Sequence, residues 1–184
     1  QDIRATDIRP ADLVLLDRAL KAIEKNRVAD AKRQKSRLDD SLARDLVAWF
    51  YYRRPKTKAS FEEIASFLER NGDWPESGRL RVHAEQKLPD EKVQPERLLR
   101  FFDRFPALTR FGRTAHIEAL TATGATAEAT ALIRRVWVET NFPSTAERAF
   151  RQAYGDTLRR EDHIARLDRL AWDAKGRQIE RMRR

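Results

Sequence analysis

Cysteine is absent from the 184 residues, which excludes disulfides and thiolate metal sites while leaving the compartment open. The three His residues (His83, His116 and His163) are too few and too scattered to mark a metal site. No apolar run approaches the ~20 residues of a membrane-spanning helix. Glycine and proline number only six and seven, and nearly all fall between periodic segments rather than inside them. There is no glycine-rich phosphate loop, no G-x-S-x-G nucleophile turn and no convincing alternating strand. No cofactor and no metal are expected.

What remains is apolar, aromatic and strongly charged. A 41% hydrophobic content with nine Phe, four Trp and three Tyr argues for a packed core rather than disorder. Lys and Arg number 38 against 29 Asp and Glu, a formal net charge of +9. That balance concentrates anionic partners such as nucleic acid, acidic lipid or an acidic polymer. The charges are mixed along the chain without a polybasic block, so a solvated, charge-laced helical surface is the plainer account of most of them.

The length suits one ordinary domain or a short array of repeats. Pro10 opens a first helix with Leu13, Leu16, Leu20 and Ile23 on one stripe. A polar second helix follows in "RVADAKRQKSR". In "SLARDLVAWFYY" nearly every face is apolar, so this third helix is expected to be the most buried. Ser60 and Glu63 form a capping box ahead of Phe61, Ile64, Ala65 and Leu68. In "NGDWPESGRLRVHAE", Asn71 and Gly72 can end that helix, Asp73 and Glu76 can box the next, and Pro75 suits its first turn. Trp74 then falls at the corner, where it is expected to plug the gap between neighbouring hairpins. Later segments put Ala125, Ala129, Leu132, Ile133, Val136 and Trp137 on one face, start a helix with a Ser144–Glu147 box, and align Ile164, Leu167, Leu170, Ala171 and Ala174. Short links make consecutive helices antiparallel neighbours. The expected fold is all-α, antiparallel helical hairpins stacked into an α-solenoid or superhelix, with residues 1–184 forming a single such domain or part of one. The irregular period disfavours a tetratricopeptide array. All four Trp side chains (49, 74, 137 and 172) are expected to be mostly buried.

Candidate chemistry is sparse. Glu62–Glu63 and Asp39–Asp40 are neighbours that point in different directions on a helix, so helix-start electrostatics explains them better than acid–base work. His116 and Glu118 form an H-x-E dipeptide, but the cysteines of a zinc deaminase are missing, and packing or surface roles are expected for His116 and His163. In "RFFDRFPALTRFGR", Phe101, Phe102, Phe105 and Phe111 fall at helix-core spacing rather than as base-stacking platforms. Nothing reads as a catalytic centre. The candidate substrate-binding residues are Arg79, Arg81, Arg110 and Arg113, which cluster near hairpin turns.

Two stretches together resemble a known family. "SLARDLVAWFYYRRPKTKASFEEIASFLERNGDWPESGRLRVHAEQKL" resembles the N-terminal helical superhelix, the U-shaped domain, of the soluble lytic murein transglycosylases. The match falls on Trp49, Phe61, Ile64, Phe67, Leu68, Trp74, Pro75, Leu80, Ala84 and Glu85. Downstream, "TATGATAEATALIRRVWVETNFPSTAERAFRQAYGDTLRREDHIARLDRLAWDAKGRQ" is similar to the next hairpins of that domain, at Gly155, Leu158, Asp162, His163, Arg166, Leu167, Asp168, Arg169, Leu170 and Trp172, so that the resemblance covers roughly residues 39–180. The family implies exported, periplasmic enzymes that cleave the MurNAc–GlcNAc bond of peptidoglycan without water. Their catalytic Glu sits in a lysozyme-like domain after the superhelix, and the resemblance ends before any such domain. Glu76–Ser77 shares only a dipeptide with that centre, so no catalytic residue is carried over. Gln1 rather than Met at the start is read as a trimmed chain, with a removed signal peptide presumed. The resemblance implies a non-catalytic scaffold that helps hold peptidoglycan glycan strands, with no membrane span and nucleic acid disfavoured. The alternative is a stand-alone periplasmic α-solenoid that binds another cell-wall protein. A cytoplasmic RNA-binding protein, supported only by charge, is third.

Overall fold

Proline and short polar side chains mark where helices begin, and the computed structural model, which describes residues 8–182, uses most of them as the sequence suggests. Among the described residues there are eleven α-helices and no strand. The chain divides into two compact units, Gln1–Lys87 and Leu88–Arg184.

The first unit holds α1 (Pro10–Glu24), α2 (Val28–Ser36), α3 (Ser41–Tyr52), α4 (Phe61–Arg70) and α5 (Ser77–Glu85). Neighbours in sequence pack on each other, α1 against α2 and α3, and α4 against α5. Pro10 occupies the first turn of α1, where its missing N–H costs nothing. The buried stripe of α1 is Asp12, Leu16, Ala19, Ala22 and Ile23, whereas Leu13 is exposed and Leu20 half-buried. The stripe is rotated because Asp12 turns inward to accept from the backbone N–H groups of Asp39 (3.3 Å) and Asp40 (2.9 Å) ahead of α3. Asp40 in turn caps α3 through Ala43 N–H at 2.8 Å.

The Ser60–Glu63 capping box forms as expected, with reciprocal bonds of 3.1 and 3.0 Å. Below it, Phe61, Ile64, Ala65, Phe67 and Leu68 are all sealed from solvent. This makes α4, rather than α3, the most deeply buried helix of the unit, since α3 leaves Phe50 exposed and Trp49 half-buried. The corner after α4 also differs from the expectation. Two turns, Trp74 N–H to Asn71 O and Ser77 N–H to Trp74 O, delay α5 to Ser77. The Asp73–Glu76 box therefore does not form, and Pro75 lies outside the helix. The left-handed residue is Glu76 (φ 60°), not Gly72.

The second unit holds α6 (Pro95–Arg104), α7 (Arg110–Ala122), α8 (Thr126–Glu139), α9 (Ser144–Tyr154), α10 (Arg160–Trp172) and α11 (Gly176–Met182). Here α7 packs on α6 and α8, α10 on α8, and α11 on α10. Between α7 and α8 the chain reverses at Gly124 (φ 78°), with Ala125 N–H closing back on Leu120 O at 2.9 Å. Ile117, Leu132, Ile133, Val136, Trp137, Phe142 and Phe150 form the core, with Trp137 stacked on Phe150 at 6.0 Å. Phe101, Phe102 and Phe105 are buried as helix-core residues.

Three expectations fail in this unit. Pro143, not Ser144, occupies the cap of α9, so the register of a Ser144–Glu147 box is lost and Glu147 points into the interior. Trp172 is 92% exposed. The inward face of α10 carries Arg166 and Leu170, and residues two further on project roughly 200° around the helix. Ile164 and Trp172, each two residues from an inward side chain, therefore face solvent, and Ala171 and Ala174, the latter beyond the end of α10, are exposed as well.

Candidate functional site

Several of the arginines among the described residues have structural partners. The last carbonyls of a helix lack intrahelical donors and carry partial negative charge. Arginines supply the missing donors here. Arg54 donates to Ile23 O at the end of α1. At the end of α8, Arg166 donates to Trp137 O and to Thr140 O (2.8 Å), and Arg169 Nε donates to Val138 O at 2.6 Å. Arg166 also lies over the Trp137 ring at 4.3 Å, where the ring face attracts its charge. Its side chain is fully buried and faces Glu147 at 3.7 Å, while Arg181 binds the same carboxylate at 2.7 Å. Burial lowers the Arg166 guanidinium to about 10, although Glu147 pulls it upward. The "DH..RLDR" stretch thus builds a joint between α8 and α10 rather than a ligand site. Sequence reasoning missed it, although an Arg at an inward-facing position of a helix is a recognisable sign of a buried, paired charge.

The corner residues behave similarly. Trp74 packs its edge on Phe67 (5.5 Å) and on Trp49 (6.3 Å), and Trp49 Nε1 donates to Pro75 O at 2.8 Å. Trp74 is half-buried, so it fastens α3, α4 and the corner without being enclosed. Glu76 is held by Arg79 at 3.0 Å and Arg53 at 3.5 Å.

The four arginines singled out from the sequence do not form one cluster. Arg79 and Arg81 lie on α5 of the first unit, two residues apart and so on different faces, with Arg79 engaged by Glu76. Arg110 and Arg113 lie in the first turn of α7 in the second unit. Arg110 covers the Phe111 ring at 4.5 Å and edges an apolar cleft of about 490 Å³ whose walls include Phe111, Phe150 and Tyr154. Arg113 donates to Thr140 Oγ1 at 2.6 Å and faces a different cleft, of about 820 Å³, between α6, α7 and α8.

This larger cleft gathers charge from every helix that bounds it. Arg100 and Asp103 come from α6, Arg113 and His116 from α7, and Arg135 and Glu139 from α8. Arg100, Asp103, Arg135 and Glu139 are exposed at its rim, and Phe102, Leu132 and Val136 form a buried apolar floor. His116 stacks on Phe102 with centroids 4.9 Å apart. Burial, and secondarily Arg135, hold its imidazole below the usual histidine range. Of the six polar residues here only Arg113 was marked as a binding residue from the sequence. Arg100 and Arg135 look like any solvated helix charge until the fold brings them together. Chemically the cleft offers guanidinium groups for an anion, two carboxylates for a cation and an apolar floor for the ligand's body. Among the described residues no group of three His, Asp or Glu side chains could hold a metal ion, and no helix is long and apolar enough to cross a membrane. Compared with protein-family models, with curated proteins and with solved structures, the chain matches none.

Proposed function

We propose that the chain is a periplasmic, non-catalytic helical scaffold of the soluble lytic transglycosylase type, which holds peptidoglycan strands for a separate catalytic domain that cleaves the MurNAc–GlcNAc bond. The observation that carries this reading is the coincidence of motif and joint. Trp49, Phe67, Trp74 and Pro75, on which the resemblance rests, meet in one contact set at the α4–α5 corner. A packing motif shared for structural reasons is what a scaffold of that family would retain. Cationic side chains beside apolar clefts suit a polymer that carries carboxylates on peptide stems, because such attraction needs no sugar-specific pocket.

The complete reading frame of the gene tests the assignment. A signal peptide upstream and a lysozyme-like domain downstream support it, whereas their absence refutes it. A second reading, a stand-alone module that binds another cell-wall protein, is favoured by Trp172, which is 92% exposed, with Ile164 also exposed about two turns earlier on α10. A signal peptide followed by a stop codon after Arg184 selects that reading instead.

A further inference from the structure

The α6–α7–α8 cleft has a composition that discriminates among anions. A polyanion would be drawn by Arg100, Arg113 and Arg135 but repelled by Asp103 and Glu139 on the same rim. A ligand with one carboxylate and one ammonium group satisfies both sets, and its apolar portion can cover Phe102, Leu132 and Val136. Guanidinium groups suit a carboxylate because their paired N–H donors match its two oxygens. Arg113 is held by Thr140, whereas Arg100 and Arg135 make no ion pair among the described residues. A volume near 820 Å³ lies within the range of about 300–1,000 Å³ usual for ligand clefts and leaves room for a short peptide. We propose that this cleft binds the C-terminal carboxylate of a short, amphoteric peptide and that His116 strengthens the binding in acid. The cell-wall reading enters only in the choice of a peptide, such as a stem, as the natural ligand.

The pH dependence follows from the position of His116. In the empty cleft its ring is half-buried against Phe102, and burial together with Arg135 disfavours its charged form. The other charged groups facing the cleft are Arg100 and Asp103 on α6, Arg113 on α7 and Glu139 on α8. A bound carboxylate offsets the field of the arginines and gives an imidazolium a counter-charge, so the histidine binds its proton more tightly in the complex. By linkage, affinity then rises as pH falls through the interval between the bound and free values, about tenfold for each unit separating them.

The test uses the full chain with acetyl-Lys-Ala-Ala as probe and its C-terminal amide as control, followed through the His116 ring resonance in NMR titrations at pH 5.5 and 8. The acid should bind, raise the apparent pKa of His116 and bind about tenfold more tightly at pH 5.5. The amide should bind at least tenfold more weakly than the acid at pH 5.5. Arg135→Gln, at an exposed position where folding is not at risk, should weaken binding of the acid about tenfold and move free His116 back toward its ordinary value. Arg148→Gln, which lines a different cleft, should change neither. Equal binding of acid and amide, an unmoved His116 resonance, or full affinity in Arg135→Gln would overturn the proposal. Peptide binding without any binding to sacculi leaves this site standing and sinks the cell-wall reading. Sacculus binding without peptide binding does the reverse.

Discussion

Replacing Arg166 by Ala tests the α8–α10 joint. The side chain is fully buried and makes hydrogen bonds to Trp137 O and Thr140 O while facing Glu147. Hydrogen bonds from a charged donor contribute roughly 1.5–3 kcal/mol each, and removing one partner of a buried ion pair costs about 3–5 kcal/mol. These contributions overlap, because Arg181 still satisfies Glu147 at 2.7 Å, so the expected loss is about 3–5 kcal/mol rather than their sum. Arg166→Lys keeps the charge but cannot reach both carbonyls and Glu147 together, and should lose about 1–3 kcal/mol. The assay is urea unfolding combined with hydrogen exchange, which should show lost protection concentrated in α8, α10 and the segment 137–141. A loss under about 1 kcal/mol for Arg166→Ala, or a lysine as stable as the arginine, would refute the view that this side chain caps α8.

The other expectations divide between the two units. Trp74→Ala should cost about 3 kcal/mol in thermal or urea unfolding, because it removes the packing at the α4–α5 corner, whereas Trp172→Ala should stay within about 0.5 kcal/mol. Equal effects would mean that exposure misreports the roles of these two residues. Asp12 supplies an acid-dependent contribution. Burial raises its carboxyl, but the N–H groups of Asp39 and Asp40 together with Arg9 prevail and hold it below its ordinary 3.8. A lowered folded value means stability that is complete above 3.8 and lost as pH falls through the folded value. Asp12→Asn should therefore flatten the acid limb of stability against pH, and an unchanged limb would contradict this. Incubated alone with purified peptidoglycan, the chain should release no anhydromuropeptides. Turnover abolished by Glu76→Gln would show that Glu76 is catalytic, and turnover surviving it would reveal another site.

The sequence announced the helices well because most of their signals are local. Pro10, Asp40, Ser60, Pro95 and Thr109 each sit at a helix start, and the apolar stripe of α4 can be read at a glance. It announced tertiary choices poorly. Nothing within residues 71–77 indicates that the chain makes two extra turns before α5, or that Glu76 rather than Gly72 turns left-handed. The inward faces of α1 and α10 were misjudged because a polar residue, Asp12 or Arg166, faces inward there, held by partners distant in sequence such as Asp39, 27 residues from Asp12, and Trp137, 29 residues from Arg166. Arg113 was marked for its place near a turn, while its companions Arg100, His116 and Arg135 share a cleft only through the packing of three helices.

Binding to the cell-wall polymer is the central claim, and co-sedimentation with sacculi measures it most directly. The series compares intact sacculi, sacculi stripped of their peptide stems, and duplex RNA at rising salt. Exposed charges are screened over about 8 Å at physiological ionic strength, so binding that rests on them should be weak and should fall as salt rises. Intact sacculi should bind more chain than stripped ones, since the stems carry much of the free carboxylate, and RNA should bind less than intact sacculi. Salt-insensitive binding, no difference on removing the stems, or a clear preference for RNA would contradict the account.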